Sequence, residues 1–230
     1  MVTPKYPNIF RATISVIKLT CGGVVRIVFI GASGFGLQCL QEITSLEECE
    51  VVGVITAPSE FKISYSKHKV KNVLHANFSD FCKNNSFACT VIQNGMNDSG
   101  LFEKVKEWRP DIFVVAGWYH MIPPKWLNYR NCYGLHASLL PDYSGGAPLV
   151  WAMINGEKKT GITLFQMDEG VDSGPILGQA EEVILEDDTI DTLYKRIEKH
   201  GIQLIKKCLP LLASGGIQLT YQDEKNRRIF

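Results

Sequence analysis

The chain has 230 residues, 45% of them hydrophobic and 21% charged, a composition that excludes extensive disorder and a length that suits one domain with extensions. Its 24 Lys and Arg cancel its 24 Asp and Glu, which argues against bulk electrostatic capture of nucleic acid or an anionic membrane. No run of about 18 apolar residues occurs, so neither a spanning helix nor a membrane partner is expected. The seven cysteines are scattered and include no CxxC pair, which argues against a disulfide framework or a metal site and for a reducing, cytoplasmic setting.

In chain order, residues 1–23 form an N-terminal extension. The first acidic residue is Glu42, and Lys5, Arg11, Lys18 and Arg26 precede it, but the segment lacks the Arg and Ser richness of a transit peptide. Residues 24–30 are a continuous apolar run broken only by Arg26, and Leu37, Leu40 and Ile43 follow at helical spacing, which predicts strand, tight turn, helix. Residues 50–56, 88–92 and 111–117 predict three more strands, and residues 101–108 an amphipathic helix ended by Pro110. Residues 160–167 and 176–184 alternate more and predict returning, antiparallel strands. Residues 188–212 predict a long helix with Asp188 or Thr189 as cap, and residues 222–230 a loose polar tail. Apolar strands alternating with helices predict an α/β fold: a parallel sheet with helices on both faces and an antiparallel extension.

The glycines after the first strand, Gly31, Gly34 and Gly36, follow G-x-x-G-x-G rather than the dinucleotide spacing. The second strand ends in Thr56-Ala57-Pro58, where a ribose-binding acid would stand. Close packing of turn and helix explains these glycines better than a nucleotide does.

Chemistry concentrates between residues 133 and 179. His136 closes an apolar segment, where open α/β sheets bind ligands, and is followed by Ala-Ser138-Leu139-Leu-Pro141. Then come Gly145-Gly146-Ala147-Pro148, Asn155-Gly156-Glu157, Gly161-Ile-Thr163 and Met167-Asp168-Glu169-Gly170-Val171-Asp172-Ser-Gly174. Such Gly, Asp and Pro density fixes loops, and fixed loops carry sites.

This stretch resembles the folate-dependent formyltransferases, most closely their methionyl-tRNA and sugar N-formyltransferase branch, over residues 26–212. The resemblance implies a Rossmann-like formyltransferase fold with a catalytic domain at 24–212 and a tail at 213–230. It also implies formyl transfer from N10-formyltetrahydrofolate, as cosubstrate, to a primary amine. His136 and Asp172 would be catalytic. Trp118, Tyr119, His120, Met121 and Ile122, Leu139, and the loop Met167, Asp168, Glu169, Gly170 and Val171 would line the folate pocket. One position departs: the family Asn two residues before the histidine is Gly134 here. Losing an oxyanion donor costs about 10²–10³ in rate, which keeps open a folate-binding module without turnover. The methionyl-tRNA enzymes carry a further C-terminal domain, and this chain is neutral and ends 58 residues after Asp172 (230 − 172). No tRNA partner is therefore expected, and the implied acceptor is a small amine, a nucleotide-linked amino sugar, with a homodimer allowed. Lys62, Lys67, His68, Lys69 and Lys71 are candidates to approach its diphosphate. Glycinamide ribonucleotide formylation and formyltetrahydrofolate hydrolysis are the alternatives.

Overall fold

A computed structural model describes residues 23–61, 70–93 and 95–230. Its centre is a seven-stranded sheet in the order β5-β2-β1-β6-β7-β8-β9. Strands β1 (Val25–Ile30), β2 (Cys49–Thr56), β5 (Cys89–Val91), β6 (Ile112–Val115) and β7 (Asn131–His136) are mutually parallel. The chain then turns back, and β8 (Lys159–Gln166) and β9 (Ile176–Val183) extend the sheet antiparallel. A separate hairpin pairs β3 (Glu60–Phe61) with β4 (Val70–Lys71). Of the basic candidates, Lys62, Lys67, His68 and Lys69 lie outside the described residues.

The period-two pattern divides the core. Ile27 and Phe29 of β1 point to one face, where α1 (Gly34–Thr44), α2 (Phe78–Asn84), α5 (Pro148–Ile154) and α6 (Ile190–Ala213) pack. Val28 and Ile30 point to the other, toward α3 (Ser99–Glu107) and α4 (Pro124–Leu127). Ile27, Val28, Phe29 and Ile30 are all fully buried, each contributing roughly 1.5–3 kcal/mol of apolar transfer. Burial on both faces is why these strands read as unbroken apolar runs. Helix α6 starts at a Thr189–Thr192 capping box and buries Leu193, Ile197, Leu204, Ile205 and Leu209 along one stripe. The expected fold class is thus observed. The short helices α2, α4 and α5 were not expected from periodicity; none exceeds seven residues.

The glycines of the first turn serve close packing. A Cβ at Gly31 or Gly36 would lie 2.6 or 2.5 Å from the Ala116 carbonyl oxygen. The turn therefore presses against the end of β6, with Ser33 Oγ capping α1 by accepting from Gly36 N. Strand order reverses between β1 and β6, and the C-terminal ends of β6 and β7 open beside that switch point.

Candidate active site

A cavity of about 590 Å³ lies at these strand ends. Its walls come from the segment after β6 (residues 115–122), the end of β7 (Gly134–Ala137), the start of α5 (Gly145–Pro148) and the loop between β8 and β9 (Met167, Asp168, Gly170, Val171 and Asp172). Of the residues expected from sequence, His136 and Asp172 line it together with Trp118, Tyr119, His120, Met121, Ile122, Met167, Asp168, Gly170 and Val171. Leu139 and Glu169 do not. Leu139 packs against β8, where a Cβ at Gly161 would lie 2.5 Å from its Cδ2, and Glu169 is exposed.

His136 ends β7 with its side chain 11% exposed. Its Nε2 lies 2.8 Å from the Tyr143 carbonyl oxygen, and its Nδ1 lies 3.5 Å from Asp172 Oδ2. A carbonyl only accepts, so Nε2 carries the hydrogen, and Nδ1 is the nitrogen left to exchange a proton beside the carboxylate. Asp172 Oδ2 also accepts from Gly145 N at 2.8 Å, which joins the two loops directly. Tyr143 (φ +56°), Ala147 (φ +51°) and Asp172 (φ +53°) all occupy the left-handed region, uncommon for non-glycine residues and found where surrounding structure over-determines the backbone.

The other motif residues supply that surrounding structure. Ser138 Oγ donates to the Asp142 carbonyl (2.7 Å), and Thr163 Oγ1 donates to the Ser138 carbonyl (2.7 Å). Tyr143 Oη donates to Glu157 (2.7 Å), and Asn155 Nδ2 donates to Tyr143 Oη (3.1 Å). The Glu157 carboxyl is held below its ordinary range by the Tyr143 hydroxyl and Arg228. In the opposite loop, Asp168 Oδ1 accepts from Gly170 N (3.1 Å) and Ser173 Oγ (2.7 Å), which shapes the turn before Asp172.

Across the cavity, the Trp118, Tyr119 and His120 rings cluster, with centroids 4.8–5.9 Å apart. Burial pushes the His120 imidazole below its usual value, toward the neutral form. Trp118 Nε1 is buried without a protein partner. Gly134 faces Met167: a Cβ there would lie 3.1 Å from Met167 Sδ and 3.2 Å from Met167 Cγ. Met167 is itself held by its backbone N–H to the Cys132 carbonyl (2.7 Å) and a Cys132 Sγ–Met167 Sδ contact of 3.6 Å. A side chain at position 134 would therefore meet the Met167 thioether at its first carbon.

Sequence reasoning missed the Tyr143 carbonyl and the contacts of the segment 222–230, expected to be loose. Its Gln222 Nε2 donates to the carbonyls of Asp172 (2.8 Å) and Gly174 (2.7 Å), and Phe230 N donates to the Ser144 carbonyl (3.0 Å). Among the described residues no helix is long and apolar enough to cross a membrane, and no group of three His, Cys, Asp or Glu could hold a metal ion.

A family model described as "Formyl transferase" matches residues 25–209. The methionyl-tRNA formyltransferase of Kosmotoga olearia is 34% identical over 202 residues, which are 86% of this chain and 62% of that protein. The chain thus spans about three fifths of the length of that curated relative. Among solved structures, glycinamide ribonucleotide transformylase 1 from Symbiobacterium toebii superposes with a TM-score of 0.71 at 21% identity, covering 88% of this chain and 96% of its own. WlaRD, a sugar 3N-formyl transferase solved with dTDP and 5-N-formyl-THF, does so at 0.66 and 19% identity, covering 91% and 70%. At such identities the likeness is one of fold. The relative's identity corrects the expectation that tRNA plays no part. Net charge is a sum over the chain and leaves its local distribution open, so it could not support that exclusion. The family resemblance read from the motifs is borne out, and the chain belongs to the formyl transferase family.

Proposed function

We propose that the chain transfers a formyl group from N10-formyltetrahydrofolate to a primary amine, with His136 handling the proton and Asp172 holding the charged imidazole. The observation that carries this reading is the His136 environment: Nε2 is committed to the Tyr143 carbonyl, while Nδ1 stands beside Asp172 at the cavity wall. The cavity suits such a donor in size and in its aromatic wall. The donor supplies the formyl carbon. The attacking amine must lose a proton, and His136 Nδ1 accepts it. The Asp172 carboxylate then stabilises the imidazolium. That imidazolium offers a hydrogen bond to the formyl oxygen as negative charge grows there, and returns a proton to the departing nitrogen. With Gly134 in place of the Asn, the His136 N–H must carry more of this stabilisation.

The relative's name suggests an aminoacyl ester of tRNA as the acceptor to test first. The cytoplasm, where thiols stay reduced, suits this reading, and the six described cysteines are free. A second reading, a folate-binding module without turnover, draws on the Gly134–Met167 packing. The test is tetrahydrofolate release from N10-formyltetrahydrofolate with methionyl-tRNA, glycinamide ribonucleotide or a nucleotide-linked amino sugar, while product mass is followed. A gain of one formyl group on an acceptor supports transfer. Release without acceptor indicates hydrolysis, and binding without release supports the second reading.

A further inference from the structure

Both ring nitrogens of His136 depend on loops in strained conformations. Tyr143, which provides the Nε2 acceptor, is a bulky residue at φ +56°, and Asp172, beside Nδ1, is at φ +53°. A bulky residue such as Tyr143 rarely holds this conformation without neighbours that enforce it, and an aspartate reaches it more readily. The segment 222–230 supplies neighbours to both loops.

On the Asp172 side, Gln222 Nε2 donates to the carbonyls of Asp172 (2.8 Å) and Gly174 (2.7 Å), so one amide pins the peptide plane that follows the strained residue and a second plane two residues on. Two carbonyl oxygens can only accept, so the NH₂ of Gln222 must face them. Arg227 reaches the Val171 carbonyl one residue earlier. On the Tyr143 side, residues 228–230 pair with residues 144–146. Ser144 N donates to the Arg228 carbonyl (3.0 Å), Phe230 N to the Ser144 carbonyl (3.0 Å) and Gly146 N to the Phe230 carbonyl (3.2 Å). The Phe230 ring stacks on Tyr143 with centroids 4.7 Å apart and planes 13° from parallel. The Arg228 guanidinium lies 4.6 Å from the Tyr143 ring centroid and bonds Asp142 (2.8 Å) and Glu157 (3.0 Å).

We infer that residues 222–230 are a positioning element for the reaction: by clasping the 142–146 and 171–174 loops they fix the Tyr143 carbonyl and the Asp172 carboxylate on either side of His136. This rests on the His136–Asp172 assignment above. Arg228 and Phe230 touch only the Tyr143 side and stand outside the folate wall, so their loss should act on the chemical step and spare donor binding. The Arg228 side chain is 45% exposed and Phe230 as a whole 40%, so both stand at the surface, outside the main core.

The test is the double variant Arg228→Ala/Phe230→Ala in the full chain. A small misplacement of a reacting group costs up to about 10²-fold in rate, so kcat should fall roughly 10- to 100-fold with KM for the folate donor unchanged. A readout independent of turnover is the His136 Nε2–H proton resonance, protected from solvent in the wild type by the Tyr143 carbonyl and lost to exchange in the variant. Phe230→Tyr alone, which keeps the stacked ring and leaves Arg228 in place, should preserve both. If the double variant fails to fold, Arg228→Lys replaces it: an ammonium cannot span Asp142 and Glu157 as the guanidinium fork does, and the same two losses are expected. A variant that melts earlier but keeps kcat and the protected resonance overturns the proposal. If His136→Ala also turns over normally, the underlying assignment fails instead, which separates the two outcomes.

Discussion

Replacing Gly134 with Asn introduces the side chain that the resemblance places two residues before His136, and the structure says what that would cost. A Cβ at Gly134 meets Met167 Sδ at 3.1 Å, Met167 Cγ at 3.2 Å and Phe165 Cε1 at 3.4 Å. Carbon contacts normally settle at about 3.5–4.0 Å, so Met167 must withdraw by several tenths of an ångström for the Cβ alone, and the amide needs the space the thioether occupies. Overpacking of this kind costs about 1–3 kcal/mol. At roughly 2–4 °C per kcal/mol for a domain of this size, Gly134→Asn should lower Tm by about 2–12 °C. Met167→Ala opens the space. In the double variant Gly134→Asn/Met167→Ala, the amide fits, and the two changes should couple by about 1 kcal/mol or more in a double-mutant cycle. With the donor restored, kcat in the folate-release assay should rise by about 10²-fold, the reciprocal of what one oxyanion donor is worth. Strictly additive stabilities, or a double variant no faster than Met167→Ala, would refute the idea that Met167 stands in the amide's place.

Two further outcomes are expected. Asp172→Asn keeps an oxygen for Gly145 N and tolerates the left-handed backbone, as asparagine commonly does, so the fold should survive while kcat falls about 10²- to 10⁴-fold with loss of the charge facing His136; unchanged turnover would remove Asp172 from the chemistry. The second concerns acid stability. Arg196 bonds Asp188 (2.8 and 2.5 Å) and Glu182 (2.9 Å). Its hydrogen bonds hold the Asp188 carboxyl well below the usual range. For Glu182, burial pushes upward, but His200 and Arg196 outweigh it and hold the carboxyl low. A carboxyl depressed in the folded state adds stability above its unfolded value of about 4, and that stability is lost as pH falls toward the folded one. Arg196→Ala should therefore lower Tm at pH 7 and flatten its decline below about pH 4. An equally steep acid decline in the variant would show that other carboxyls govern it.

Strands β1 and β6 were legible because they are buried on both faces and read as apolar runs, as in Ile112–Val115, whereas the edge strand β5 is only half-buried and gives a weaker pattern. The short helices escaped because four to seven residues give too few turns for periodicity to register. His136 and Asp172 stood out through the motif around them. Tyr143 did not, because it contributes a carbonyl that every residue type carries. Gln222 and Arg228 act across 50 and 86 residues of sequence, a distance no local pattern spans. The motif fixes the neighbourhood of Leu139, but its side chain turns toward Gly161, a direction no sequence pattern encodes.

The most direct measurement compares wild type with His136→Ala for donor binding and for formylation of a primary-amine acceptor, read together as tetrahydrofolate released and formyl groups gained. Equal donor binding, stoichiometric release and formylation by the wild type, and a loss of transfer in the variant by about 10²-fold or more are expected. Equal transfer by both proteins, or donor binding without any transfer by the wild type, would contradict the proposed function.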